Sequence, residues 1–310
     1  MKSVRSGVLA CLVVLGVVAA CGKDSAPRPV EPPDASVPEA CDGGGVVACA
    51  GACVNTGVDP AHCGACDNAC ASEEVCEEGA CVAVCRIDGQ QVASGTVNPA
   101  NACEVCLPAT STARWSARRS IPLLVGGGDL TAQGWTVVSE GPSTLSYGAD
   151  HVRLATSTIT GERSSGRLLI TREDAFDGTR PFRLEVTLQV ETVNRHNTLD
   201  SGAAILGGIT PPFGTAVERS KMVYLDSAAI GWADETQSAA FPVVDGAYHV
   251  YEFAVDAAKV ATVSVDGVAK LTRNNFTSNG TLAIGDQTED PGVDGAMRIK
   301  SVDLLCPPGP

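Results

Sequence analysis

The sequence predicts an all-β protein: an antiparallel β-sandwich or jelly roll preceded by a small, disulfide-rich, loop-dominated module. Three observations carry this. The stretch Phe182-Arg-Leu-Glu-Val-Thr-Leu-Gln-Val190 alternates apolar and polar residues strictly, as a strand with one buried face requires. Of 310 residues, 33 are Gly and 18 are Pro while only 19% are charged, a turn-rich composition, and no window reads as a capped amphipathic helix. Eleven of the 14 cysteines fall between Cys41 and Cys106, where large apolar side chains are sparse and disulfides substitute for a core. Hydrophobic residues, at 44%, suffice for one sandwich core. The net charge of −14 argues against nucleic acid or an anionic membrane surface as an electrostatic partner.

Residues 1–20 read as a signal peptide. Lys2 and Arg5 precede the uncharged apolar run Gly7–Val18, which is shorter than the roughly 20 residues a spanning helix needs. Val18-Ala19-Ala20-Cys21 resembles a bacterial lipobox. That resemblance implies cleavage before Cys21 and a diacylglyceryl thioether on it, so that the membrane partner is reached through a lipid anchor. An ordinary secretory signal cut after Ala20 is the alternative. Gly22, in place of the Asp that marks inner-membrane retention in enterobacterial lipoproteins, favours the outer membrane or cell surface. Residues 21–40 hold five prolines and no apolar period, the composition of a disordered tether.

With Cys11 in the signal and Cys21 lipidated, twelve cysteines remain: Cys41, Cys49, Cys53, Cys63, Cys66, Cys70, Cys76, Cys81, Cys85, Cys103, Cys106 and Cys306. An even total permits six disulfides, and an odd number within the block implies that Cys306 pairs back into it; individual pairings do not follow from spacing. The run Cys53 to Cys70, continuing to Cys76 and Cys81 and holding Asp59-Pro60, His62 and Asn68, resembles the Stig1-like cysteine motif over residues 41–84. The resemblance implies an extracellular module without known catalysis, of a kind found in secreted proteins of myxobacteria. Residues 85–117 form a second small cysteine module, closing on Trp115. Cys63-x-x-Cys66 and Cys103-x-x-Cys106 have the spacing of paired zinc ligands. In an exported chain with cysteines on every side, disulfides are the expected state. His62 is then a loop residue packed among cystines.

Residues 120–306 have the length of one all-β domain. Expected strands are Trp135–Ser139, His151–Ala155, Arg167–Thr171, Phe182–Val190, Ala203–Leu206, Met222–Leu225, His249–Val255, Ala261–Val265, Leu282–Ile284 and Met297–Leu305. Asp266-Gly267 suits the positive φ of a two-residue hairpin turn. Tyr248-His-Val-Tyr-Glu-Phe, then Val263-Ser-Val-Asp-Gly267, Ile284-Gly285 and Gly295-Ala-Met-Arg-Ile resemble the closing strands of a concanavalin A-like (LamG-type) jelly roll. The resemblance implies a fold shared by lectins, glycosidases and adhesion domains, and no single function.

Catalytic signatures are sparse. Laminarinase-type jelly rolls carry a Glu-x-Asp-x-x-Glu strand, which the stretch from Glu185 to Glu191 resembles only in part, with Thr187 in place of the aspartate. Glu185 and Glu191 lie on one face but roughly 20 Å apart along a strand, too far to share one glycosidic bond. Neither a Gly-x-Ser-x-Gly elbow nor His-Glu-x-x-His occurs. An enzyme is therefore not expected. Asp286, Asp290 and Asp294, in an oxygen-rich loop, are candidate calcium ligands, with a solvated acidic loop as the bland reading. No other cofactor is indicated. Trp232 is a candidate stacking platform for a sugar ring, against a bland reading as a core residue. Together these features predict a lipid-anchored surface protein with a non-catalytic binding or adhesion role, a glycan or envelope polymer being the partner. A structural or protein-interaction surface lipoprotein without sugar binding is the alternative, and a glycoside-hydrolase-like enzyme is the third reading.

Overall fold

The computed structural model describes residues 41, 46–157, 164–198, 200–208 and 221–307. Residues 1–40, which include the stretch read as a signal peptide, Cys21 and the stretch read as a tether, lie outside the described residues. Near the N-terminus, β1 (Val46–Cys49) and β2 (Ala52–Asn55) form a hairpin; β3 (Glu74–Glu77), β4 (Ala80–Ile87) and β5 (Gln90–Ala93) form a meander; β6 (Glu104–Val105) pairs with β7 (Ser116–Ala117). The connections Ala50-Gly51, Glu78-Gly79 and Asp88-Gly89 have positive φ at both residues, the primed turns that match strand twist.

Disulfides take the place of an apolar centre here. Cys41–Cys53, Cys49–Cys66, Cys63–Cys76 and Cys70–Cys81 interlock the first module, and Cys85–Cys106 closes the second. The second module has a minimal core of Cys85, Ile87 and Cys106, with Val92 and Trp115 packed against it. β4 crosses residue 84, so the two modules share one strand. The sixth bridge, Cys103–Cys306, spans 203 residues and ties the module to the last strand of the chain.

The sandwich comprises β8 (Ser120–Val125), β9 (Thr136–Glu140), β10 (Thr144–Tyr147), β11 (Val152–Ala155), β12 (Arg167–Arg172), β13 (Phe182–Val193), β14 (Ala204–Gly207), β15 (Met222–Leu225), β16 (Ala229–Trp232), β17 (Ser238–Ala240), β18 (His249–Val255), β19 (Ala261–Val265), β20 (Val268–Arg273), β21 (Leu282–Asp286) and β22 (Gly295–Leu305). One eight-stranded sheet runs β10-β11-β22-β13-β18-β19-β20, with β8 on the second half of β22; a seven-stranded sheet runs β17-β16-β15-β14-β21-β12-β9. Every ladder in both is antiparallel. This is the jelly-roll architecture that alternation predicts, and no helix among the described residues is long and apolar enough to cross a membrane.

β13 shows why the alternation forms a sheet. Phe182, Leu184, Val186, Leu188 and Val190 are buried between the layers, while Arg183, Glu185, Thr187, Gln189 and Glu191 face outward. Each fully buried apolar side chain contributes about 1.5–3 kcal/mol. Phe176, Phe182, Trp232, Phe253 and Phe276 converge in one cluster: Phe253 lies 5.1 Å from Phe276 and 5.9 Å from Trp232, ring centre to ring centre. A Cβ on Gly231 would stand 2.4 Å from the Tyr224 ring, so the approach of β15 to β16 requires glycine. Strands β8, β16, β17 and β20 lack clean alternation, and β10 is only four residues long. Pairing with a neighbour, rather than their own pattern, makes them strands.

Candidate functional site

A cavity of about 500 Å³ opens on the outer face of the eight-stranded sheet, lined among others by Val125, Asp150, Thr187, Tyr248, Lys300 and Ser301. A β-bulge builds it. Thr187 pairs with Ser301 and Leu188 with Ile299, leaving Lys300 without a partner on β13. The extra residue breaks the alternation of β22 there, which is how a bulge re-aims a side chain. The Gly126 N–H donates to the Lys300 carbonyl at 2.8 Å and holds the bulge from the other side.

Lys300 Nζ lies 5.6 Å from the centre of the Tyr248 ring, a cation–π contact, and 3.4 Å from Asp150 Oδ2. Hydrogen bonds from His151 and then Lys300 hold the Asp150 carboxyl below its ordinary range. Tyr248 is half-buried, and burial followed by the Asp150 charge raises its phenol. Gln189 Nε2 donates to the Gly246 carbonyl at 2.6 Å, fixing the turn that presents Tyr248. Beside this, Glu191 accepts from Arg153 Nε at 2.7 Å and Arg298 Nε at 2.5 Å. Burial pushes the Glu191 carboxyl up, but the two guanidiniums outweigh it and hold the group ionised. A carboxyl held this way is a poor general acid. Glu185 is likewise engaged, by Arg119 at 2.7 Å.

The tryptophan expected as a sugar platform requires a correction. Trp232 is fully buried, its Nε1 donating to the Thr272 carbonyl at 3.3 Å and its ring covered by the Arg273 guanidinium at 4.7 Å. Its position follows from pairing with β15, which sets Ile230 and Trp232 in the core. The aromatic residue at the groove is Tyr248 instead. Its signal was present in the sequence: it stands on the outward parity of a strand whose inward residues are His249, Tyr251, Phe253 and Val255. Lys300 shares such a signal with Arg298 on the outward parity of β22, but the bulge that brings Ser301 beside it follows from pairing.

The calcium trio also separates. Asp286 and Asp294 are buried at one end of the sandwich, where Asp286 Oδ2 accepts from Thr156 Oγ1 at 2.5 Å and Asp294 Oδ2 from Ser164 N–H at 3.1 Å. Asp290 instead accepts from Asn197 Nδ2 at 3.1 Å in an exposed contact. Burial, with the Asp294 and Asp200 charges, pushes the Asp286 carboxyl well above its usual range. Among the described residues, Cys63, Cys70 and Cys81 alone bring three metal-capable atoms within 4.8 Å of one another, and all three sulfurs are in disulfides. Asp286, Asp290 and Asp294 are therefore not one ligand set.

Two histidines are clamped by carboxylates. His196 stacks on Tyr224 at 3.7 Å, with Nδ1 2.5 Å from Asp226 and Nε2 2.7 Å from Glu235. Both nitrogens are engaged, which orders a loop rather than activating a nucleophile. His249 meets Asp266 at 2.8 Å and Asp245 at 3.1 Å. Burial disfavours the His249 cation, yet the two carboxylates outweigh it and raise its pKa, while Asp245 and Asp266 are lowered. The histidine's contribution is complete below its unfolded value of about 6.5 and disappears as pH rises through the raised folded value. The carboxylates' contribution is present above about 4 and disappears as pH falls through their lowered values. Melting temperature measured from pH 4 to 9 is expected to fall on the alkaline side in wild type, and to fall less in His249→Gln. Parallel curves would show that the clamp is energetically silent.

In the Stig1-like region the signature residues serve the loops. Asp59 Oδ1 accepts from the Ala61 N–H at 2.8 Å, His62 Nδ1 from the Asp67 N–H at 2.9 Å, and Asn68 Nδ2 donates to the Cys63 carbonyl at 2.5 Å. They form a scaffold. The molecule is thus a disulfide-rich module joined to a jelly-roll domain with a polar groove on one sheet, and its six cystines mark an extracytoplasmic protein.

Comparison with known proteins gives one family match and several structural similarities. Residues 37–84 match the stigma-specific STIG1-like protein family. No curated protein matches the chain. Among solved structures, it is similar to the carbohydrate esterase vb_24B_21 from Shiga toxin-encoding bacteriophage phi24B, with 15% identity over 61% of this chain and 100% of that one, at a TM-score of 0.41. It is also similar to the Emp46p carbohydrate recognition domain in its potassium-bound form, with 12% identity over 60% of this chain and 95% of that one, at a TM-score of 0.37. The exoplasmic/lumenal domain of VIP36, bound to Ca2+ and Man3GlcNAc, shares 14% identity over 57% of this chain and 85% of that one, at a TM-score of 0.40.

Proposed function

We propose that this chain is an exported, non-catalytic binding protein whose jelly roll takes a glycan or envelope polymer in the Tyr248 groove. One observation carries the reading: the cavity of about 500 Å³ joins an aromatic ring with hydroxyl and charged groups, the chemistry that holds a sugar by stacking and hydrogen bonds. The same groove supports binding over catalysis, because Glu191 and Glu185 beside it are already paired with arginines. The lipid at Cys21 and the tether over residues 21–40 anchor the protein in the cell envelope, with the groove displayed at the surface.

Two experiments test this. Wild-type mature protein on a glycan array is expected to retain a subset of sugars, and Tyr248→Ala to bind them about tenfold more weakly, a loss of about 1.4 kcal/mol of stacking. Equal binding by the variant, or an empty array, removes the groove and leaves a structural or protein-interaction lipoprotein. Separately, Cys21→Ser is expected to move the protein from the detergent phase to the aqueous phase after processing. Persistence in detergent removes the anchor.

A further inference from the structure

We infer that the groove selects an acidic glycan, one whose sugar carries a uronate carboxylate. The inference rests on the glycan reading above and adds the charge of the ligand. Glu191 supplies one negative charge and is shared by two guanidiniums, Arg153 and Arg298, which stand on neighbouring strands of the same sheet face. That triad keeps one positive charge in surplus. The ion pair that lines the groove itself, Lys300 with Asp150, is balanced but loose at 3.4 Å, and the triad stands beside it. The groove region therefore carries three cations and two carboxylates, in a protein whose net charge is −14.

The cations are within reach of a ligand. Arg298 is 41% and Lys300 51% exposed, while Glu191 and Arg153 are mostly enclosed at 20% and 21%, and Asp150 stands open at 57%. A uronate presents a planar carboxylate, which a guanidinium grips with two parallel N–H donors where a neutral sugar offers only hydroxyls. With its ring on Tyr248 and Val125, such a sugar directs the carboxylate towards Arg298 and Lys300 and neutralises the surplus charge. A neutral sugar leaves that charge unpaired. Electrostatic complementarity of this kind confers selectivity more than raw affinity.

The test is titration calorimetry of the wild-type mature protein with oligogalacturonate, with a neutral oligogalactoside of equal length and with polyglutamate, at low and high salt. Oligogalacturonate is expected to bind at least about tenfold tighter than the other two, and to weaken as salt rises. Arg298→Gln and, on the exposed bulge, Lys300→Gln are each expected to lower its affinity about fivefold. Glu191→Gln removes a negative charge and is expected to raise affinity about threefold, a gain that loss of folding cannot imitate. Equal binding of the neutral oligosaccharide, lowered by Tyr248→Ala but unmoved by the charge variants, leaves the glycan site standing and overturns acid selectivity. Equal binding of polyglutamate overturns it as well, since the groove is then a plain anion patch. Failure of both oligosaccharides overturns this inference together with the glycan reading.

Discussion

Replacing both Cys103 and Cys306 with serine is expected to cost the jelly roll about 5 kcal/mol, the largest loss available from any single bridge. The bond closes a loop of 203 residues, and the loop entropy it removes from the unfolded chain grows with the logarithm of that length. By the same relation Cys41–Cys53, which closes only 12 residues, accounts for about 3 kcal/mol. The location adds to the effect. Cys306 follows directly on β22, which pairs with β8, β11 and β13 in the middle of the larger sheet, and its N–H donates to the Arg119 carbonyl at 2.8 Å. Urea unfolding under non-reducing conditions, followed by tryptophan fluorescence, measures the difference. A double-serine variant within about 1 kcal/mol of wild type would mean that the bridge constrains little in the unfolded chain.

The second large effect is expected for Trp232→Ala, which is predicted to lose about 3–5 kcal/mol by opening a cavity between the sheets. The indole touches the Phe253 and Phe276 rings, and its Nε1 donor has the Thr272 carbonyl as partner. The lining includes both strands and loop segments of the core, so collapse around the lost ring is restricted. Thermal unfolding gives the loss directly. Carbohydrate binding by the folded fraction of Trp232→Ala is expected to match wild type, in contrast to Tyr248→Ala. A selective loss of sugar binding with unchanged stability would restore Trp232 as a platform and remove Tyr248.

The contrast between these two aromatics shows how much of the site was legible. β18 could be read from its alternation, His249, Tyr251, Phe253 and Val255 inward, and the same reading puts Tyr248 on the opposite side. Trp232 sits in a four-residue strand that alternation is too short to orient, so its direction came from pairing with β15. Lys300 follows the outward parity of Arg298, and periodicity fails one residue later, at Ser301, where the bulge sets two outward residues side by side. Arg153, Glu191 and Arg298 lie 38 and 107 residues apart along the chain and meet only when β11, β13 and β22 align. The three aspartates named as candidate calcium ligands part for a related reason. Asp286, Asp290 and Asp294 are close in sequence, but the loop turns Asp290 outward to Asn197 while the other two enter the end of the sandwich.

Short-range information was sufficient for everything that depends on local pattern. Alternation set the all-β class and most strands of the sandwich, Gly pairs set the tight turns, and cysteine parity required Cys306 to return to the N-terminal block. Register and bulges depend on which strand lies alongside, and that is settled by the burial of a whole sheet face rather than by any one segment. Strand partners, the six pairings and the charge surplus of the Arg153–Glu191–Arg298 triad therefore belong to the folded molecule. A single slipped residue in β22 would exchange its inner and outer faces and dissolve the groove while leaving the sequence pattern unchanged.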